Sequence, residues 1–160
     1  MNKAINGILN KLTLFLATGF GSGYAPKMPG TVGTLVAIIP LLWLQTLSLW
    51  LYGGLVLLLS LVGIYLCHKA DQILKSHDNK AIVWDEFCGL WITMFAAPSG
   101  WEMIVIGFLF FRFFDIVKPW PVSWADKQVT GGFGVMLDDV IAGLMALTCV
   151  QIVTYSGVIV

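Results

Sequence analysis

The chain has 160 residues, 58% of them hydrophobic and only 11% charged, and its mean hydropathy is +0.87. That length leaves room for one domain, 1–160, and the apolar content exceeds what a soluble domain carries, so the chain belongs in a bilayer. Nine Lys/Arg balance nine Asp/Glu, which excludes the basic footprint of a nucleic-acid binder.

The pattern predicts an all-α fold: a polytopic membrane bundle of about five hydrophobic helices behind an N-terminal amphipathic helix. Lys3 and Lys11 precede the apolar stretch 12–17, which is short for the apolar region of a cleaved signal peptide, so the segment is read as retained. Ile5, Ile8, Leu9, Leu12 and Leu16 recur at helical spacing, as in a helix lying in the interface. Runs 31–47 and 50–67 form a helical hairpin around the uncharged junction at Ser48, with Pro40 as a candidate kink. Runs 87–97 and 101–116 form a second pair, broken by Pro98-Ser99-Gly100. A fifth run covers 135–160. A crossing needs ~20 apolar residues, so the short run 87–97 is expected either to be re-entrant or to borrow length from its polar flank. Segment 68–84 reads as a helical extension with a loop, and 117–134 as a Pro/Gly-rich loop.

All nine basic residues, Lys3, Lys11, Lys27, Lys69, Lys75, Lys80, Arg112, Lys118 and Lys127, fall at the N-terminus or beside the two polar segments. The positive-inside rule puts these regions together in the cytoplasm. Both hairpin tips, near Ser48 and Ser99, then lie on the other side with Glu102 as their charge, and eight of nine acids lie on the basic side.

Four stretches reach that face. Gly21 to Thr34 is dense in Gly and Pro just before a helix. Such a loop lets backbone N–H groups approach an anion, and the helix N-terminus adds its dipole, although an ordinary turn capped by Thr31 is a simpler account. In the second, Asp85-Glu86 stands at the entrance of an apolar helix. Helix-dipole stabilisation accounts for one acid, but adjacent carboxylates repel unless a cation or proton intervenes. In the third, Arg112, Asp115 and Lys118 step by three, on one face if the helix persists. An intramembrane Arg marks a functional site by default, the plainer alternative being an internal Arg112–Asp115 pair with Lys118 snorkelling. The fourth leads from a Gly loop, Gly131-Gly132-Phe133-Gly134, into a helix carrying Asp138-Asp139, with Ala142 and Gly143 small enough for a neighbouring helix to approach.

These stretches supply five carboxylates, Asp85, Glu86, Asp115, Asp138 and Asp139, together with Arg112 and Lys118. Oxygen ligands without His or Cys suit Mg²⁺, and the cations suit a phosphate. Phosphoryl transfer requires such parts. Histidines 68 and 77 stand apart from any cluster and read as solvated or structural, and Cys67, Cys88 and Cys149 read as free thiols. No Arg lies six residues after any Cys, and no Asp-x-Asp occurs. Attack by metal-activated water is what remains, beside a covalent carboxylate intermediate.

Taken together the four stretches resemble the phosphatidylglycerophosphatase A family: a Gly-x-Gly loop running to Pro-Gly-Thr (21–31), Asp-Glu-x-x-Gly (85–89), Phe-Arg-x-Phe-Asp-x-x-Lys-Pro-x-Pro (111–121), and Gly-Gly-x-Gly followed by Asp-Asp (131–139). The resemblance covers nearly the whole chain. It implies a Mg²⁺-dependent enzyme of the bacterial inner membrane, active on the cytoplasmic face, that converts phosphatidylglycerophosphate to phosphatidylglycerol. It also implies a compact bundle with one central helix. Carried over, Asp85, Glu86, Asp115 and Asp139 are the candidate catalytic groups, and the same four with Asp138 are the candidate metal ligands. Arg112, Lys118, Gly30 and Thr31 are the candidates for holding phosphate. Which carboxylate acts as base is left open, as is the oligomeric state. A cation transporter or another lipid-phosphate hydrolase using the same acids is the alternative. Transport sites sit near the midplane on broken helices, whereas these acids gather at one end, and a non-catalytic assembly subunit leaves them unexplained.

Overall fold

The computed structural model describes residues 2–76 and 79–157, with side chains from residue 5 onward. The expectations for His77, for the Lys3 side chain, for the charge at Asp78 and for residues 158–160 of the fifth run lie outside the described residues. Among the described residues there are seven α-helices and no strand: α1 (Asn2–Ala17), α2 (Pro29–Leu44), α3 (Leu49–Leu74), α4 (Trp84–Thr93), α5 (Trp101–Val117), α6 (Val122–Gln128) and α7 (Gly131–Tyr155).

Local chemistry explains most boundaries. Pro29 opens α2 at its first position, where a missing N–H removes no helical bond and φ is already suitable. Gly100, with φ of 151°, gives the chain a backbone conformation closed to other residues just before α5. The 26 residues of α3 contain no proline, and the helix runs on past the apolar stretch into the polar segment as far as Leu74.

Four local expectations are corrected. Gly131–Gly134 is the first turn of α7 and not a loop. The supposed loop 117–134 contains α6, a helix of 7 residues. Thr31 does not cap α2: Met28 holds that position, and Thr31 lies in the first turn. Lys118 does not continue the face of Arg112 and Asp115, because α5 ends at Val117 and Lys118 turns into the left-handed region at φ 46°. The glycines of α7 misled because they serve packing. A Cβ on Gly132 would strike the Ile64 carbonyl and the His68 backbone of α3, and one on Gly134 would strike the Val129 carbonyl. Helix propensity yields where a side chain does not fit.

The centre of the molecule is α4. Trp84, Phe87, Cys88, Gly89, Leu90, Trp91 and Thr93 are all buried, and α2, α3, α5 and α7 pack around it. Its aromatic residues interlock: Trp84 and Phe87 stack with centroids 5.7 Å apart, and Trp91 meets both edge-on. Buried polar atoms need partners, and neighbouring helices supply them. Trp84 Nε1 donates to the Leu59 carbonyl (3.2 Å), Trp91 Nε1 to that of Ala37 (3.0 Å), and the Tyr52 hydroxyl to that of Trp91 (2.7 Å). The short run is thus an internal helix that begins three residues early, in its polar flank. At 10 residues it is about 15 Å long, too short to cross a bilayer.

Among the described residues two helices, α3 and α7, are long and apolar enough to cross a membrane. Much of the outer surface is apolar: Leu35, Ile39, Leu42 and Trp43 on α2, Leu57, Leu58 and Leu61 on α3, and Val105, Leu109 and Phe113 on α5 are exposed. Along α1, Ile5, Ile8, Leu9, Leu12 and Phe15 are exposed too.

Candidate active site

Contact between α4 and α7 assembles the acids. Gly143 of α7 sits against Gly89 of α4, and a Cβ built on Gly143 would lie 2.7 Å from the Gly89 carbonyl oxygen. Asp139 precedes Gly143 by one turn, and Asp85 and Glu86 precede Gly89 by one turn. Close packing at the glycines therefore draws the three carboxylates together. One oxygen from each of Asp85, Glu86 and Asp139 lies within 4.8 Å of the others. Asp115 stands beside them, its carboxyl within hydrogen-bonding reach of Asp139.

These side chains form the floor of a cavity of about 480 Å³. Six carboxylates line it, Asp85, Glu86, Asp115, Asp126, Asp138 and Asp139, against three cations, Lys80, Arg112 and Lys118. A phosphate dianion entering a cavity with that excess of negative charge needs a compensating cation. The donor atoms fit one. Asp85 Oδ1, Glu86 Oε2 and Asp139 Oδ2 are buried and have no hydrogen-bond partner, whereas buried carboxylate oxygens normally do. Burial pushes the Asp85 carboxyl well above the ordinary range, with the charges of Glu86 and Asp139 adding to it. Burial likewise raises Glu86 to about 7, although Asp85 and Arg112 oppose the shift. A hard divalent ion, held by three oxygens and keeping waters, suits this set.

Arg112 faces the same floor. Its Nη1 lies 2.5 Å from Asp115 Oδ2 and 3.9 Å from Glu86 Oε1, and donates to Thr34 Oγ1 at 3.4 Å. Its buried Nε has no partner. The N-terminus of α2 brings Gly30 and Thr31 to the cavity. The backbone N–H groups of the first turn lack helical acceptors, and the Thr31 hydroxyl is also buried without one. A Cβ at position 30 would overlap Glu86 Oε1 and lie 3.2 Å from Arg112 Nη1, so a side chain there would displace the Glu86 carboxylate.

The rim is built differently. Lys118 is paired with Asp126, and with Asp138 at 2.8 Å. Burial works against its charge, but these two carboxylates outweigh that and raise the ammonium pKa. All the expected site residues, Gly30, Thr31, Asp85, Glu86, Arg112, Asp115, Lys118, Asp138 and Asp139, line the one cavity, but Asp138 turns to Lys118 while Asp139 turns to the floor. Asp126, Thr34 and Lys80 escaped the sequence reading. Asp126 sits on the unforeseen α6, and a single Thr inside an apolar helix carries no signal of its own. Cys67 and Cys88 are buried free thiols, and burial pushes the Cys88 thiol up to about 12, far from a nucleophile's range. His68 is exposed beside Gln72 and lies outside the cavity.

The family model for phosphatidylglycerophosphatase A matches residues 15–154. That defines a class first, the phosphoric monoester hydrolases, and the site has the parts such an enzyme requires. The chain belongs to the phosphatidylglycerophosphatase A family. It is 47% identical over 133 residues to phosphatidylglycerophosphatase A of Escherichia coli (strain K12), covering 82% of this chain and 77% of that one. It is 41% identical over 150 residues to the Haemophilus influenzae protein of the same name, covering 92% and 91%. A Bacteroides thetaiotaomicron protein with a provisional phosphatidylinositol-3-phosphatase name is 37% identical over 151 residues, covering 88% and 92%. No solved structure matches the chain.

Proposed function

We propose that the protein is a Mg²⁺-dependent phosphatase of the bacterial inner membrane that removes the terminal phosphate of phosphatidylglycerophosphate at the cytoplasmic face, leaving phosphatidylglycerol. One observation carries the reading: three carboxylates, each with a buried oxygen that has no hydrogen-bond partner, share a cavity with Arg112 and the N-terminus of α2. The exposed apolar side chains support the membrane assignment, and the placing of the basic residues at the N-terminus and beside the two polar segments of the sequence supports its orientation.

Asp85, Glu86 and Asp139 would hold the ion, with Asp115 adjoining. When bound, Mg²⁺ neutralises phosphoryl oxygens and lowers the pKa of water. The protein supplies the rest. Asp115 fixes the guanidinium of Arg112, whose Nε is free to take a phosphate oxygen. Gly30 and Thr31 offer backbone N–H groups and the positive end of α2. Lys118 ties Asp138 and Asp126 together at the rim. The carboxylate that accepts the proton of the attacking water belongs to the set Asp85, Glu86, Asp115 and Asp139. A water oxygen bonds to phosphorus, the P–O bond to glycerol breaks, and the leaving alkoxide is protonated.

The test is phosphate release from phosphatidylglycerophosphate in detergent micelles, with Mg²⁺ and then with chelator. Release that needs Mg²⁺ supports the reading, and background release under both conditions refutes it. A second lipid, phosphatidylinositol 3-phosphate, belongs in the same assay because of the name carried by the Bacteroides relative.

A further inference from the structure

The proposed substrate carries two phosphates on one glycerol: the terminal monoester that is removed, and a diester that leads to the diacylglycerol. The inner end of the cavity accounts for the first of these. We propose that Lys80 recognises the second, so that the enzyme selects headgroups in which a phosphodiester follows the reacting phosphate. This deepens the phosphatase reading and rests on it.

Lys80 lines the same cavity as the acidic floor and is exposed at its mouth. Among the described residues it forms no ion pair, whereas Arg112 and Lys118 are both engaged. For a phosphate to reach Lys118 it must displace Asp126 or Asp138, so among the described residues the uncommitted positive charge of the cavity is that of Lys80. Its loop is held in shape. Asn79 Oδ1 accepts the Ala81 N–H at 3.0 Å, the Ile82 N–H donates to the Asn79 carbonyl at 2.8 Å, and the Val83 N–H donates to the Ala17 carbonyl at 2.9 Å. The Asn79 N–H also reaches Asp71 Oδ1 at 3.3 Å. An Asx turn of this kind fixes backbone direction, so Lys80 projects from a defined point while its long stem keeps reach. A diester carries a single negative charge, and one lysine ammonium is a suitable counter-charge.

The experiment uses the full-length protein in mixed micelles with Mg²⁺ and compares kcat/KM for phosphatidylglycerophosphate with kcat/KM for phosphatidate, which has a terminal monoester and no diester. In Lys80→Ala the ratio of the two is expected to fall about tenfold, the scale of one charge-assisted contact, and Lys80→Arg is expected to restore most of it. Inhibition by phosphatidylglycerol, which keeps only the diester, weakens in Lys80→Ala by a similar factor, while inhibition by inorganic phosphate shifts less than about twofold. If the wild type accepts phosphatidylglycerophosphate alone, this inhibition pair decides the matter. An unmoved ratio, or an equal loss on both lipids, or an equal weakening of both inhibitors overturns the role of Lys80 while leaving the phosphatase reading intact. A wild type that releases phosphate from neither lipid overturns both.

Discussion

Gly89 and Gly143 touch backbone to backbone at the centre of the bundle, and the acids one turn before each glycine meet because of it. A side chain at Gly143 pushes α4 and α7 apart, and one at Gly89 collides first with the Phe111 ring of α5. Gly143→Leu is therefore expected to lower turnover at least ~100-fold, since displacing reacting groups by about an ångström has that effect. Gly143→Ala tests the same point more gently and is expected to keep the protein folded. Full activity in Gly143→Leu, measured by phosphate release from membranes containing equal amounts of protein, contradicts the arrangement.

Arg112 and Asp115 act as a unit. Asp115→Asn removes the carboxylate that fixes the guanidinium, and Arg112→Ala leaves Asp115 and Glu86 facing each other uncompensated. Removing one partner of a buried pair costs about 3–5 kcal/mol. Both variants are expected to lose turnover, and Arg112→Ala also to lose thermal stability, a loss that added Mg²⁺ partly reverses. Thermal melting with and without Mg²⁺ separates these outcomes, and unchanged turnover in both variants contradicts the assignment.

The floor carboxylates predict a pH dependence with a definite sign. Folding raises Asp85, and raises Glu86 from 4.5 to about 7, mainly through burial. A group raised on folding contributes stability that is complete below its unfolded pKa and is lost as pH rises through the folded one. Metal-free protein is thus expected to lose melting temperature between pH 4.5 and about 7, and Mg²⁺ to abolish that loss by taking the place of the protons. A metal-free melting temperature that climbs across this window contradicts the expectation.

At the rim, Asp126 and Lys118 are each about one-third exposed, where a pair contributes no more than about 1 kcal/mol. Asp126→Asn is expected to cost less than that in stability. Asp138→Asn removes the more buried partner and is expected to cost more. Equal effects in denaturant unfolding contradict the distinction.

How much the sequence disclosed follows from what each pattern encodes. The acids and Arg112 were legible because charge next to hydrocarbon is expensive and so marks a site. Gly143 was legible as a place of close approach, but its partner was not, since spacing within one helix says nothing of which neighbour arrives. The run 87–97 reads as re-entrant or as borrowing length from its polar flank, and sequence leaves that choice open because hydropathy measures aversion to water and does not distinguish a helix buried in protein from one buried in lipid. Gly131–Gly134 looked like a loop because propensity is local, while the need for small residues against α3 is tertiary. Lys118 left the face of Arg112 because a left-handed cap lies outside any periodicity rule.

The most direct test of the shared ion is Mn²⁺ binding followed by electron paramagnetic resonance, titrating the purified wild type, Glu86→Gln and Asp139→Asn. A bound Mn²⁺ signal in the wild type that Mg²⁺ displaces, weakened at least ~10-fold in each variant, is the predicted result. Equal Mn²⁺ affinity in all three proteins contradicts the claim that these carboxylates hold one cation between them.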